Sequence, residues 1–316
     1  MQHNTWQYLV RLLISSILLT LLVACGASDS ATNDDSAGKV KVVATTGQIS
    51  DSLANIGGDA ISLVGLFGPG VDPHLYVPTE GDVGTLAEAQ VIFYNGIHLE
   101  AQMVRVMDEM EKRGITVVPI GDRMPTDQLL SWDTSYPHDP HIWNDLTLWK
   151  LAVEIMRDTL IEVDPDNADL YRENTVSYLA EIDETHQYIQ EQIDRIPPDK
   201  RVMITAHDAF GYFARAYGMD VRGLQGVSTE SEASTADVQE LATFIAERQI
   251  PAIFVESSVP PRTIEAVQAA VQAQGFEVKI GGTLFSDALG SPDTPEGTYI
   301  GMLRYNAKTL ADALSQ

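Results

Sequence analysis

The chemistry-bearing residues of this chain stand out by repetition. Asp72-Pro73-His74 recurs as Asp139-Pro140-His141, in a chain with only seven histidines. Proline fixes its own φ and drives the residue before it toward extended backbone. Each histidine therefore follows a stiff, non-helical step, which suits a side chain that must be held in one place. Two more residues join them: His207, after the apolar run 201–205, and Asp287, in the loop 281–295. Imidazole suits zinc, copper, iron and nickel, and a carboxylate adds the hard oxygen favoured by manganese. Three nitrogens and one oxygen could close a tetrahedral zinc site. A carboxylate bound through both oxygens would instead give a five-coordinate site, better suited to manganese or iron. Taken singly, each residue has a plainer reading: a turn histidine, a histidine at a helix start, a capping aspartate.

The elements that must position these residues follow from hydrophobic pattern and breakers. Strands are predicted at 41–45, 61–66, 91–94 and 115–120, and helices at 49–56, from Thr79 through Ala87, at 99–112 and at 146–163. The second half repeats the outline, with strands at 201–205, 221–224, 252–255 and 276–280. Its helices are predicted at 209–217, after a Thr235-Ala236-Asp237 cap, at 261–274 and at 298–314. Between the halves, 168–196 contains no proline or glycine, and Thr175, Ile182, Ile189 and Ile196 recur every seven residues. That is one helix on the order of 40 Å long at 1.5 Å per residue. Strand–helix alternation with short links predicts parallel sheets with right-handed crossovers. The fold class is therefore α/β: two parallel-sheet lobes, 39–166 and 198–316, joined by one long rigid helix within 167–197. Ligands of open parallel sheets bind outside the carboxyl ends of the strands. His74, His141, His207 and Asp287 all fall there, two from each lobe, which places a metal site in the interlobe cleft. Glu230 and Glu256 follow second-lobe strands and are read as partners of the ligand imidazoles. His98 is read as lying near a helix start without binding metal, and His186 as solvated on the long helix.

The N-terminus is a processing segment. An apolar run over 12–24, preceded by Arg11, is shorter than the roughly 20 residues that span a bilayer. It ends in Leu22-Val23-Ala24-Cys25-Gly26, which has the form of a bacterial lipobox. Residues 1–24 then read as a signal peptide, Cys25 as the lipidated first residue, and 25–38 as a flexible polar tether. A single cysteine rules out an intramolecular disulfide. The net charge of −25 leaves no basic patch for nucleic acid. It is compatible with cation capture, although solubility is the plainer explanation.

Longer matches sharpen the reading. They are Val71-Asp72-Pro73-His74-Leu75-Tyr76, Asp139-Pro140-His141-Ile142-Trp143-Asn144-Asp145, His207-Asp208-Ala209-Phe210-Gly211-Tyr212-Phe213, Gly226-Val227-Ser228-Thr229-Glu230 and Leu284-Phe285-Ser286-Asp287-Ala288. In this order the chain resembles the zinc/manganese solute-binding lipoproteins of ABC transporters, also described as metal-binding adhesins. The resemblance implies two α/β lobes bridged by a rigid helix, with His74, His141, His207 and Asp287 as ligands of one divalent ion, zinc or manganese, with iron as a further alternative. It implies no enzymatic activity, and a monomer held outside the cytoplasmic membrane by its lipid that delivers the ion to an ABC permease. Some family members, commonly manganese binders, carry Glu where this chain has His207. Many zinc-specific members carry a His-rich loop where 121–140 has only His138 upstream of the ligand motif, so both metals stay open. A zinc hydrolase and a purely adhesive protein are the competing functions. A hydrolase needs an open coordination position and a general base, and the chain has no His-Glu-x-x-His. Three imidazole ligands predict an affinity that falls steeply near pH 5–6.

The lipobox makes one prediction of its own. Cys25→Ala should leave the precursor unprocessed or release the protein from the membrane, as read by membrane fractionation. Normal processing together with full membrane retention of that variant would exclude the lipid anchor.

Overall fold

Four short apolar runs pair first. In the computed structural model, which describes residues 38–132 and 137–315, β1 (Val40–Ala44), β2 (Ile61–Gly65), β3 (Val91–Tyr94) and β4 (Thr116–Pro119) form one parallel sheet in the order β2-β1-β3-β4. The signal run and Cys25 lie outside the described residues. Val42, Ala44, Val91 and Phe93 are fully buried, as central parallel strands require. Helices α1 (Gly47–Gly57), α2 (Glu80–Ala87) and α3 (Val104–Lys112) make the crossovers. Thr79 and Asp82 close a capping box at the start of α2, which the sequence predicts from their spacing.

The second half has the same outline with a looser sheet. β5 (Val202–His207) pairs in parallel with β6 (Asp220–Gln225), and β7 (Ala252–Glu256) with β8 (Lys279–Leu284). β5 and β7 lie side by side, so the order β6-β5-β7-β8 repeats that of the first half, but they are not joined into one ladder. At the carboxyl end of β5 the amides of Ala206 and His207 donate to the Glu256 side chain instead. The helices here are α6 (Gly211–Tyr217), α7 (Thr235–Arg248), α8 (Arg262–Ala273) and α9 (Tyr299–Leu314), with α4 (Leu146–Val163) and α5 (Ala168–Asp194) between the halves.

Several boundaries differ from the sequence expectation; the helix expected over 99–112, for one, begins at Val104 after a short 3-10 turn. Ser234, not Thr235, caps α7, in a capping box with Asp237. His207 is the last residue of β5 and does not merely follow it. β8 starts at Lys279 and runs through Gly281-Gly282, which the sequence marks as a loop. A Cβ on Gly281 would stand 2.7 Å from the Phe254 ring, and Gly282 takes φ +146°, so the pair lets β8 close on β7 across a bulge.

α5 is the spine of both halves. Tyr171, Thr175, Tyr178, Ile182, Thr185, Ile189 and Ile193 form its buried stripe. That stripe packs on α1 and α4 of the first lobe and on α9 of the second. One hydrophobic core consequently runs from Val42 and Leu53 through Ile182 and Ile189 to Phe213 and Leu310, with a smaller cluster inside each lobe. His186 is half-buried on this helix, where the sequence reading has it solvated. Its Nδ1 lies 2.9 Å from the Tyr217 hydroxyl, tying α5 to α6. Among the described residues, no helix is long and apolar enough to cross a membrane.

A shared core predicts shared unfolding. Ile182→Ala should cost about 2–5 kcal/mol and lower a single calorimetric transition. Two resolved transitions, only one of them shifted, would show that the lobes melt independently.

Candidate metal centre

The repeated tripeptide has one local geometry in both copies. The Asp72 carboxylate accepts the His74 amide through Oδ1 at 2.9 Å, and Asp139 Oδ1 accepts the His141 amide at 2.9 Å. An Asp side chain that takes its own backbone N–H two residues on makes an Asx turn, and the intervening proline stiffens it. Beyond the turn the two carboxylates diverge. Asp139 Oδ1 also takes the His141 ring through Nδ1 at 2.7 Å. Asp72 Oδ2 instead accepts the Thr229 hydroxyl of the second lobe at 2.6 Å.

His207 is positioned by its strand and by Glu256 at the end of the neighbouring strand. Glu256 Oε1 accepts the amides of Ala206 and His207 at 2.7 and 2.9 Å, and Oε2 lies 2.6 Å from His207 Nδ1. Asp287 follows β8, and its Oδ2 accepts a hydrogen bond from Ser258 at 3.2 Å. With Nδ1 of His141 bonded to Asp139 and Nδ1 of His207 close against Glu256, their Nε2 atoms turn to Asp287. His141 Nε2 is 3.5 Å from Oδ1 and His207 Nε2 is 3.2 Å from Oδ2.

The four sequence-predicted ligand residues therefore come together. Donor atoms of His74, His141, His207 and Asp287 lie within 4.8 Å of one another, little more than the roughly 4 Å that two bonds to one ion span. The imidazole centroids are 5.2 to 5.7 Å apart. Exposure is only 2 % for His74 and Asp287 and 0 % for His141 and His207, so water cannot satisfy these atoms. Nε2 of His74 and of His141 has no hydrogen-bond partner, a costly state for a buried polar atom unless a ligand fills it. A divalent cation fits this donor set and its orphaned nitrogens.

The electrostatics point the same way. Burial pushes the His74 pKa down to about 3, so its imidazole stays neutral and available. Burial also opposes a charge on His207, but Asp287 and Glu256 outweigh it and raise its pKa well above the ordinary value. Burial would raise the Asp287 carboxyl, yet the imidazoles, His207 foremost, hold it below the usual carboxylate range. Beside them, burial and then Asp139 push Asp208 up to about 6.

Glu256 and Glu230 separate. Glu256 is 3 % exposed and braces His207, whereas Glu230 is exposed at the surface, where Gln102 Nε2 approaches its Oε1 at 3.5 Å. His98 is exposed in a tight turn with φ +64°. Sequence reasoning missed Asp72, Asp139, Thr229 and Ser258 as partners. The two aspartates carried a signal, since each precedes its histidine by two residues in the repeat. Thr229 and Ser258 carried none, because their partners are 157 and 29 residues away.

Known proteins give the same picture. A family model described as ZnuA, zinc-uptake complex component A, periplasmic, matches residues 42–313. The zinc-binding protein TroA of Treponema pallidum is 45% identical over 293 residues, covering 93% of each chain. The manganese-binding lipoprotein MntA of Bacillus subtilis is 40% identical over 293 residues, covering 93% of this chain and 95% of its own. Among solved structures, the periplasmic TroA of Treponema pallidum superposes with a TM-score of 0.86 at 46% identity, over 88% of this chain and 100% of that one. With its two-lobed α/β fold and a family match across nearly all of the described residues, the chain belongs to the ZnuA family of metal-binding substrate-binding proteins.

Proposed function

We propose that this protein captures a divalent transition metal, zinc or manganese, outside the cytoplasmic membrane and delivers it to an ABC permease for import. One observation carries the reading: three imidazoles and one carboxylate converge with their ligand atoms buried and mutually facing, two of the imidazoles backed by carboxylates. His74, His141, His207 and Asp287 are the ligands of this proposal, and Asp139 and Glu256 hold two of the rings. The ion is cargo, and the chain has no role for it as a catalyst. A four-coordinate zinc on these side chains would have no position left for a substrate or an attacking water, which separates this reading from a hydrolase. Relatives named for zinc and for manganese binding bracket the choice of ion. A lipid on Cys25 would hold the protein, as a monomer, beside its permease.

The direct test has two arms. Protein purified from its native envelope without chelator should carry about one equivalent of zinc or manganese by elemental analysis, and deleting the gene should abolish uptake of that metal. His141→Ala should keep its circular dichroism and lose more than the roughly 10–100-fold in affinity that removal of an outer partner costs. Metal-free native protein, or uptake unchanged on deletion, would overturn the proposal.

The proton count offers a second check. Metal binds neutral imidazole, so binding must displace the proton that His207 holds in the metal-free site. Affinity should fall as pH falls, by about tenfold per pH unit near neutrality for that one proton. His74, with its pKa near 3, adds nothing between pH 5 and 8. The loss is therefore shallower than three free imidazoles would give. Calorimetric titration in buffers of different ionisation enthalpy counts the protons released. A count near zero at pH 7, or near three at pH 5, contradicts this assignment.

A further inference from the structure

The segment behind His141 reaches further than its own lobe. Trp143 Nε1 donates to the carbonyl of Ser286 at 2.9 Å, one residue before Asp287. Asn144 Nδ2 donates to the carbonyl of Ala209 at 2.8 Å, two residues after His207. In return the Tyr299 hydroxyl, at the start of α9, donates to the Trp143 carbonyl at 2.6 Å. Trp143, Asn144 and Tyr299 are all fully shielded from solvent. The Trp143 ring also stands edge-on to His141, with centroids 5.3 Å apart. One short stretch thus touches a first-lobe ligand directly and grips the main chain beside both second-lobe ligands.

We infer that Trp143 and Asn144 are positioning residues that fix the spacing between His74 and His141 on one lobe and His207 and Asp287 on the other. This rests on the reading of those four residues as metal ligands. A buried indole N–H or amide needs some acceptor, and packing alone would be served by any carbonyl. Here each donor ends on the backbone flanking a ligand of the opposite lobe. Metal–ligand bonds tolerate only about ±0.2 Å, so a small slip of one lobe against the other is felt at the ion. The two bonds add to the long helix, which packs on α1, α4 and α9, a second link between the lobes at the ligands themselves.

The test uses the full chain loaded with cobalt(II), whose visible absorption reports coordination geometry. Trp143→Phe keeps an aromatic ring against His141 and removes the donor. Asn144→Leu keeps the shape and removes the other donor. Tyr299→Phe frees the Trp143 carbonyl and guards against misfolding of the first two variants. Ile193→Val, on the buried stripe of α5, is the control for simple loss of stability. Trp143→Phe and Asn144→Leu should release cobalt into excess chelator about tenfold faster than the parent, with a changed visible band. Ile193→Val should lower the thermal midpoint and leave band and release rate unchanged. If the positioning variants lower the midpoint while band and release rate stay at parent values, the contacts are structural only and the inference is overturned. A parent that binds no cobalt would overturn the ligand assignment, and this inference with it.

Discussion

A buried imidazole can face a cation only if its other nitrogen has a place to put its proton. That constraint shapes the centre of this protein. Asp139 and Glu256 take the Nδ1 side of His141 and His207, which fixes each ring's orientation and leaves Nε2 toward Asp287. The carboxylates are themselves anchored by backbone amides, Asp139 by its Asx turn and Glu256 by the last two residues of β5. Charge closes around the same point. Asp139, Glu256 and Asp287 bring negative charge into a site with almost no water, and a divalent cation is the species that balances it. The same surroundings, Asp287 and Glu256, raise the His207 pKa well above its ordinary value against the cost of burial.

The fold supplies the other requirement, that four residues far apart in sequence share one small volume. Parallel strands point their carboxyl ends the same way, and each lobe presents its ligands from that edge. The lobes then need a fixed relation, and α5 provides it through a core continuous from β1 to α9. Gly281-Gly282 contributes from a distance, since only glycine lets β8 approach Phe254 closely enough to carry Asp287 into the cleft.

Much of this could be read in the residues. Hydrophobic runs and breakers place the strands and helices, α4 with the same limits, because local capping and periodicity decide them. The four candidate ligand residues were legible because His207 and Asp287 sit at or just beyond strand ends, and His74 and His141 sit in a repeated tripeptide. What stayed hidden depends on contacts between remote segments. β8 was displaced because a Gly-Gly pair looks like a turn unless its neighbour's aromatic ring is known. His186 looked solvated because Tyr217 is 31 residues away in sequence. Glu230 and Glu256 looked alike, each an acid after a strand, and only tertiary structure turns one inward to His207 and the other outward. The interlobe bonds of Trp143 and Asn144 had no local signature at all.

The hydrogen bond between Thr229 and Asp72 gives the centre a kinetic character. It joins the lobes directly beside His74, with the four ligands already gathered and sealed beneath. On the proposed function, a hydrated ion could not reach donors that are 0 to 2 % exposed unless the residues around them moved. Loading would then scale as the rate of collision multiplied by the fraction of time the site stands open. The same closure works as a filter. An ion that surrenders its water reluctantly, as magnesium does, gains too little from three nitrogens to offset the loss. Discrimination against the abundant hard cations would then come from the cost of stripping their water in a site whose donors are 0 to 2 % exposed.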